Sequence, residues 1–472
     1  LQKKPDKLKL QVNTMGKQFK KLAYESLDDF IYGKCPNPVK CKNGMVIGGG
    51  EIYPEVNFTL PSMNATIDTL PDAKRIYKEM IKGVLQKADE LHATNIVIEF
   101  ETLPQYTENP EWGIEIHKII RDISSEHQVK TGIKSAIRMT PNDLREMSRP
   151  PVMRSGKYWD AMVRIFEQTA KDGADFLSIE STGGKEINDA AIVNADLRTS
   201  IFALGCLASR DMKWLWSNLT EIIVSNGSIP GGDSACGFAN TAMVLAEQGF
   251  IPKVYAAVLK AAVTPRALVA IENGAVGPGK DCAYENVYLK AITGTPISME
   301  GKTAACAHFS PIGNIAAAVA DLWSNESVQQ VKLLSGFAPV VSTEQLIYDC
   351  RLMNTAAKKG QARFLRDILV ESDCYLDPQA YMLRSDVVFE IAREIVKIQD
   401  PFLRTLNTAK LSLDILQRAV TKKELALDER ELSWIDRLRD QVDEIPEDEE
   451  AFISEMKEEL ADAEYSLSEY GL

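Results

Sequence analysis

Histidine is scarce in this chain: His92, His117, His127 and His308 are the four among 472 residues. Of the four only His308 lies in a loop segment of the type that carries sites, which argues against a histidine-rich metal site. Cysteine is sparse as well, eight residues in all, too few for the disulfide framework of a small secreted domain. Thiols that stay reduced fit a cytoplasmic protein. No uninterrupted apolar run approaches the roughly 18 residues needed to span a bilayer. The opening Leu1-Gln-Lys-Lys-Pro-Asp-Lys7 has no apolar signal core. Positive charge is in deficit, with 54 Lys and Arg against 67 Asp and Glu and a net charge of −13. Nucleic-acid binding depends on cationic side chains displacing counterions, so DNA and RNA are set aside as partners.

What remains is a soluble, globular composition, 45% hydrophobic and 26% charged, able to bury a large core. The length accommodates a β/α barrel of roughly 250 residues with about 100 to 200 residues of additions. Residues 1–14 precede Met15 and read as an expression remnant or an alternative start. Residues 15–72, rich in Gly, Pro and Asn around Gly48-Gly-Gly50, read as an N-terminal extension forming an irregular layer. A strand and helix alternation over 73–375 predicts a (β/α)8 TIM barrel as the catalytic domain. Its strands are expected near 95–100, 130–138, 175–179, 221–225 and 267–272. Residues 376–472 read as a helical C-terminal appendage. From Asp443 to Leu472 that region carries twelve carboxylates against one lysine, a pattern typical of a solvated face.

Three loop segments carry the chemistry: Phe176-Leu-Ser-Ile-Glu180-Ser-Thr-Gly-Gly184, Pro230-Gly-Gly-Asp-Ser-Ala-Cys236-Gly-Phe238 and Gly277-Pro-Gly-Lys-Asp-Cys282-Ala-Tyr284. Each sits where a strand runs out, the end at which β/α barrels carry their active sites. Glu180, Cys236 and Cys282 together offer one carboxylate and two thiolates. Three protein ligands leave a zinc ion one open position, which is the catalytic arrangement. Asp233, Lys280 and Asp281 flank the cysteines as candidates to orient them or relay a proton, and each also fits as an ordinary turn residue. Cys306 and His308, in Thr303-Ala-Ala-Cys-Ala-His308, compete for the third ligand position. Gly274-Ala-Val-Gly-Pro-Gly-Lys280 matches the start of a phosphate loop, but Asp281 stands where Ser or Thr would hold magnesium. Cys206, Cys350 and Cys374, taken singly, read as buried small residues. Cys35 and Cys41 lack the second half of a zinc knuckle.

These segments, with Ile229-Pro-Gly-Gly-Asp-Ser-Ala-Cys-Gly-Phe-Ala-Asn240, Glu300-Gly-Lys-Thr303, Trp323-Ser-Asn-Glu-Ser-Val328 and Asp377-Pro-Gln-Ala-Tyr-Met-Leu383, resemble the methanol:corrinoid methyltransferases. The resemblance runs from about Met15 to the C-terminus. It implies a β/α barrel whose zinc is held by Glu180, Cys236 and Cys282. It further implies methyl transfer from methanol to the Co(I) corrinoid of a partner corrinoid protein, giving methyl-Co(III) and water. Pairing of the barrels as a homodimer within a heteromeric complex is implied in the same way. The alternatives are a sibling enzyme using a methoxylated aromatic or a methylamine, and a non-catalytic barrel that docks a corrinoid protein.

Overall fold

The computed structural model describes residues 16–58, 63–280, 282–307, 310, 312–325, 332–333 and 336–472. The leading segment 1–14 lies outside the described residues. Strands β1 (Lys34–Lys40) and β2 (Val46–Gly49) pair antiparallel as a hairpin. Seven further strands build one parallel, curled sheet. They are β3 (Tyr53–Phe58), β4 (Asn95–Glu101), β5 (Lys134–Thr140), β6 (Phe176–Ile179), β7 (Ile229–Asp233), β8 (Ser298–Glu300) and β9 (Leu322–Asn325). Their order is β7-β6-β5-β4-β3-β9-β8. Each neighbouring pair is parallel, so the chain returns through crossovers such as the helices Leu70–Glu90, Pro110–Thr131 and Gly156–Lys171.

The first of these helices shows how sequence sets the packing. Pro71 lies in its first turn, and Tyr77, Met80, Ile81, Val84, Leu85 and Ala88 recur at helical spacing on its buried face. Each of the Met, Ile, Val and Leu side chains removed from water contributes about 1.5 to 3 kcal/mol, and Ala88 less. Inside the curl sits a second, smaller core. Tyr53, Val97, Ala136, Phe176, Ile229 and Leu322 project from the sheet, and Val39, Cys41, Met45 and Ile47 of the hairpin pack among them. The β1–β2 hairpin therefore plugs the sheet's N-terminal end. Above this apolar layer the inner face turns polar: Arg138 donates to Glu55 at 2.6 Å, to Ser178 at 2.8 Å and to the Pro278 carbonyl at 2.7 Å.

Several expectations from the sequence are corrected. The sheet begins at Tyr53, inside the segment read as an N-terminal extension, because β3 pairs with both β4 and β9. Residues 221–225 end the helix Ser209–Ser225, and 267–272 lie in the helix Thr264–Glu272. Residues 267–271 are buried on every side and Ile222-Ile-Val224 is a short apolar run, and neither a buried nor a short apolar stretch of helix can be told from a strand in sequence. The strand of that region is instead Ile229-Pro-Gly-Gly-Asp233, whose Pro and Gly read as a turn. Gly231 is required there, since a Cβ would lie 2.3 Å from Ser178 Oγ. The eight assigned strands of a full barrel are not observed among the described residues. Between β7 and β8, however, the Val276 amide donates to the Pro230 carbonyl at 2.9 Å, and the Ser298 amide donates to the Gly279 carbonyl at 2.8 Å.

The stretch Lys253–Glu272 is long and apolar enough by composition to cross a membrane, yet all of it between its two charged ends is buried within the protein. Its apolarity belongs to the core. After residue 375 the chain is helical, as the sequence pattern indicates. The acidic end is mostly exposed, as expected of a solvated face, and a few of its carboxylates pair with arginines of the body: Glu455 and Glu459 with Arg198, and Glu449 with Arg210.

His117 is fully buried in the helix Pro110–Thr131, and burial pulls its pKa down to about 4. The unfolded chain, with an ordinary histidine pKa near 6.5, takes up that proton first as pH falls. Stability from this group is present above pH 6.5 and is lost as pH drops towards 4, by about 3 kcal/mol in all. Urea unfolding of His117→Leu should show a shallower loss than the parent chain between pH 7 and 4.5. An unchanged slope would remove His117 as the cause.

Candidate metal centre

Glu180 follows β6 directly, and its backbone still pairs with Asn142 in a parallel bridge. Cys236 opens the helical turn Cys236–Asn240 beyond β7. Cys282 follows the segment that hydrogen bonds to both sheet edges. The sheet brings the three together: one ligand atom from each lies within 4.8 Å of the others. The Cys282 sulfur is 3.8 Å from Glu180 Oε1. Around zinc, bonds of about 2.3 Å to sulfur and 2.0 to 2.2 Å to oxygen place tetrahedral ligand atoms roughly 3.5 to 3.8 Å apart, so this spacing fits. Cys282 is buried, whereas Glu180 and Cys236 are partly exposed, which leaves the cluster an approach from their side. In this structure the two sulfurs are joined as a disulfide, with Cα atoms 5.6 Å apart. A metal requires them as thiolates, so the metal-binding form is the reduced one.

Lys280 lies beside this cluster and is nearly fully buried. Its ammonium is 2.8 Å from Glu180 Oε1, 2.6 Å from Glu101 and 3.2 Å from Glu99. Burial works against the charged ammonium, but Glu101, Glu180 and Glu99 outweigh it and hold the pKa well above the ordinary value. Burial likewise opposes the Glu99 carboxylate, and Lys280 and Arg138 overcome that to hold its pKa low. Asn57 donates to Glu101 at 3.1 Å, and Thr140 to Glu99 at 2.7 Å. The sequence reading missed Glu99 and Glu101. Their signal was available: acids at the last positions of an otherwise apolar strand stand at the end where barrel sites gather.

Asp233 turns elsewhere. A register shift in the β6–β7 pairing puts it opposite Ile179. Its carboxylate accepts from Trp216 Nε1, Arg266 and the Ser181 amide at 3.2, 3.2 and 3.4 Å. Burial pushes its pKa up to about 6 despite the Arg266 guanidinium. Asp233 thus braces the loop after Glu180. That loop has other braces: the Thr182 amide donates to Asp143 at 2.9 Å and the Gly184 amide to the Tyr470 hydroxyl at 3.0 Å. Gly183 passes so close to Asp211 that a Cβ would meet its carboxylate at 2.4 Å. Arg145, fully buried, bridges Asp143 and Asp211. None of Asp143, Arg145, Asp211 or Tyr470 was marked in the sequence, because each acts from a separate element. Asp281, Cys306 and His308, the remaining candidates, lie outside the described side chains.

Fold and site together define an α/β protein with a carboxylate and two cysteines gathered at the carboxyl ends of a parallel sheet. The chain belongs to the methanol-cobalamin methyltransferase B subunit (MtaB) family, whose profile matches residues 16–471. It is 37% identical over 446 residues to the methanol–corrinoid protein co-methyltransferase of Methanosarcina barkeri strain Fusaro, spanning 93% of this chain and 95% of that protein. It is also similar to a chain in the crystal structure of the methanol:cobalamin methyltransferase complex MtaBC from Methanosarcina barkeri. There the TM-score is 0.91 at 34% identity, covering 97% of this chain and 100% of that one.

Proposed function

We propose that this chain transfers the methyl group of methanol to the Co(I) corrinoid of a partner corrinoid protein, with a zinc ion held by Glu180, Cys236 and Cys282. The observation that carries this reading is the convergence of those three side chains, in a member of this family, with one ligand atom from each within 4.8 Å of the others. The names of the similar proteins, one a corrinoid-protein co-methyltransferase and one part of an MtaBC complex, support the same donor and acceptor. We also read the curled sheet as most of an eightfold β/α barrel, with 276–279 standing between β7 and β8 in place of a regular strand.

The reaction breaks the carbon–oxygen bond of methanol with its electron pair on oxygen. The Co(I) centre supplies the pair for the new carbon–cobalt bond, and one proton converts the departing hydroxide to water. Zinc bound at this site supplies Lewis-acid polarisation of the alcohol oxygen, which makes hydroxide an acceptable leaving group. The chain's own residues do the rest. Lys280 fixes Glu180 through Oε1 and offsets part of the charge of one carboxylate and two thiolates. Glu101, 19% exposed, holds Lys280 at 2.6 Å, and Lys280 holds Glu180 at 2.8 Å, so the ammonium stays charged beside the ligand set. The apolar plug closes the other end of the sheet, so the cluster is approached from the side of Glu180 and Cys236.

The reduced, zinc-loaded chain mixed with cob(I)alamin should give the methyl-Co(III) absorption spectrum only when methanol is added. The same change with a methoxylated aromatic or a methylamine, and not with methanol, would replace the donor. No change with any donor would leave a docking protein without catalysis.

A further inference from the structure

The two cysteines come from loops 46 residues apart, and the structure shows what holds those loops together besides the sulfurs. The contacts are reciprocal. Glu285, fully buried, accepts the amide of Ala235 on its Oε1 at 2.7 Å, one residue before Cys236. In return, the Cys282 amide donates to Ser234 Oγ at 3.2 Å, and the same hydroxyl lies 3.4 Å from the Cys282 sulfur. Each cysteine loop thus lends a side chain to a backbone amide of the other. Both side chains are fully buried, so neither bond is exchanged for one to water.

The base of the second loop is anchored independently. Glu285 immediately precedes the helix Asn286–Thr293, and its carbonyl accepts from Tyr288 and Leu289 in the first turn. Asn286 donates to the Lys280 carbonyl at 2.8 Å, and Lys260 donates to the Ala283 carbonyl at 3.3 Å. Glu285 therefore reaches across from a fixed point. A buried carboxyl oxygen accepting that amide holds it without competition from water.

We propose that Glu285 and Ser234 are positioning residues that set the two cysteine loops at ligand spacing before metal arrives, so that zinc does not have to gather them. The inference rests on the assignment of zinc to Glu180, Cys236 and Cys282. A metal that finds its ligands already placed avoids the entropy of ordering two loops, and residues that orient ligands in this way commonly change metal affinity by about 10 to 100-fold.

The test is the zinc dissociation constant of the reduced full chain, measured by competition with a chromophoric chelator. Glu285→Ala should weaken zinc binding by about tenfold or more, and so should Ser234→Ala. Glu285→Gln keeps a carbonyl oxygen for the Ala235 amide and should stay within about threefold of the parent. Zinc binding within twofold of the parent in both alanine variants would overturn the latch, and so would equal losses in Glu285→Ala and Glu285→Gln. If Glu285→Ala does not fold, Ser234→Ala decides the matter by itself. A parent chain that takes up no zinc would instead sink the metal assignment on which the latch depends.

Discussion

Alanine at Cys236 or at Cys282 should abolish zinc retention on dialysis and, with it, methanol-dependent methyl-cobalamin formation. Structural zinc sites carry about 10 to 16 kcal/mol of apparent binding energy, so removing one of three protein ligands costs at least about 3 kcal/mol, or more than about a hundredfold in affinity. The fold should survive, because both cysteines stand on loops beyond the strands. Elemental analysis and far-ultraviolet circular dichroism of each variant separate the two effects. Full zinc content in Cys282→Ala would move that ligand position to another side chain, and full content in both variants would refute the centre. Glu180→Gln adds a graded case: the amide keeps an oxygen but loses the charge. It should weaken zinc binding less than the cysteine variants do while leaving Lys280 short of one carboxylate partner.

Replacing Arg145 with methionine should destabilise the protein by about 3 to 5 kcal/mol, the range for breaking a buried ion pair by removing one partner. Arg145 bonds Asp143 through Nε and Nη2 at 2.9 and 2.7 Å, and Asp211 through Nη1 and Nη2 at 2.7 and 2.8 Å. Without it two buried carboxylates face each other with no cation between them. In the folded protein burial opposes the charge on Asp143, and Arg145 overcomes this to hold its pKa low, while burial still leaves Asp211 raised. Once the guanidinium is gone both carboxyls shift upward, so the deficit of Arg145→Met should shrink as pH is lowered and they protonate. Chemical denaturation of parent and variant at pH 7.5 and 5 measures both effects. The exposed Arg164–Glu111 pair gives the contrast: Arg164→Met should change stability by less than about 1 kcal/mol. Equal small losses in the two arginine variants would show that the Asp143–Arg145–Asp211 cluster is not the brace described above.

Stability and site meet in that cluster. Asp143 holds the Thr182 amide, two residues beyond Glu180, while Asp211 fills the space beneath Gly183. Arg145→Met should therefore also reduce zinc affinity, through displacement of the loop that carries Glu180.

The identity of the three candidate ligands was legible in the sequence because the chemistry is local. Glu180 just past an apolar strand, and two cysteines within Gly- and Pro-rich turns, mark loop positions with reactive side chains, even though the apolar runs read as strands before the cysteines are helical. The helices were legible where one face is polar, as in Leu70–Glu90, since the pattern itself carries the period. Where burial is near complete that phase vanishes, as in 267–272, and three apolar residues such as Ile222-Ile-Val224 are too few to carry a period, so both stretches were read as strands although they are helical. Ile229–Asp233 was hidden for the opposite reason. Its glycines answer a need imposed by a neighbour, the close approach of Ser178, which no pattern within the strand records.

The sequence by itself determined which chemistry the chain can perform: an acidic, histidine-poor protein with one carboxylate and two thiolates at loop positions, and motifs similar to one family of methyltransferases. Only the tertiary structure decided which side chains surround that chemistry. Lys280 meets Glu99, Glu101 and Glu180, Asp233 turns away from the centre to Arg266 and Trp216, and Glu285 reaches back to Ala235. These partners are tens to more than a hundred residues apart except for Asp233 and Trp216 at 17. A parallel sheet brings together the ends of strands that are distant in the chain, so the surroundings of a site on it are fixed by topology and register, whereas its reactive groups are fixed by residue type.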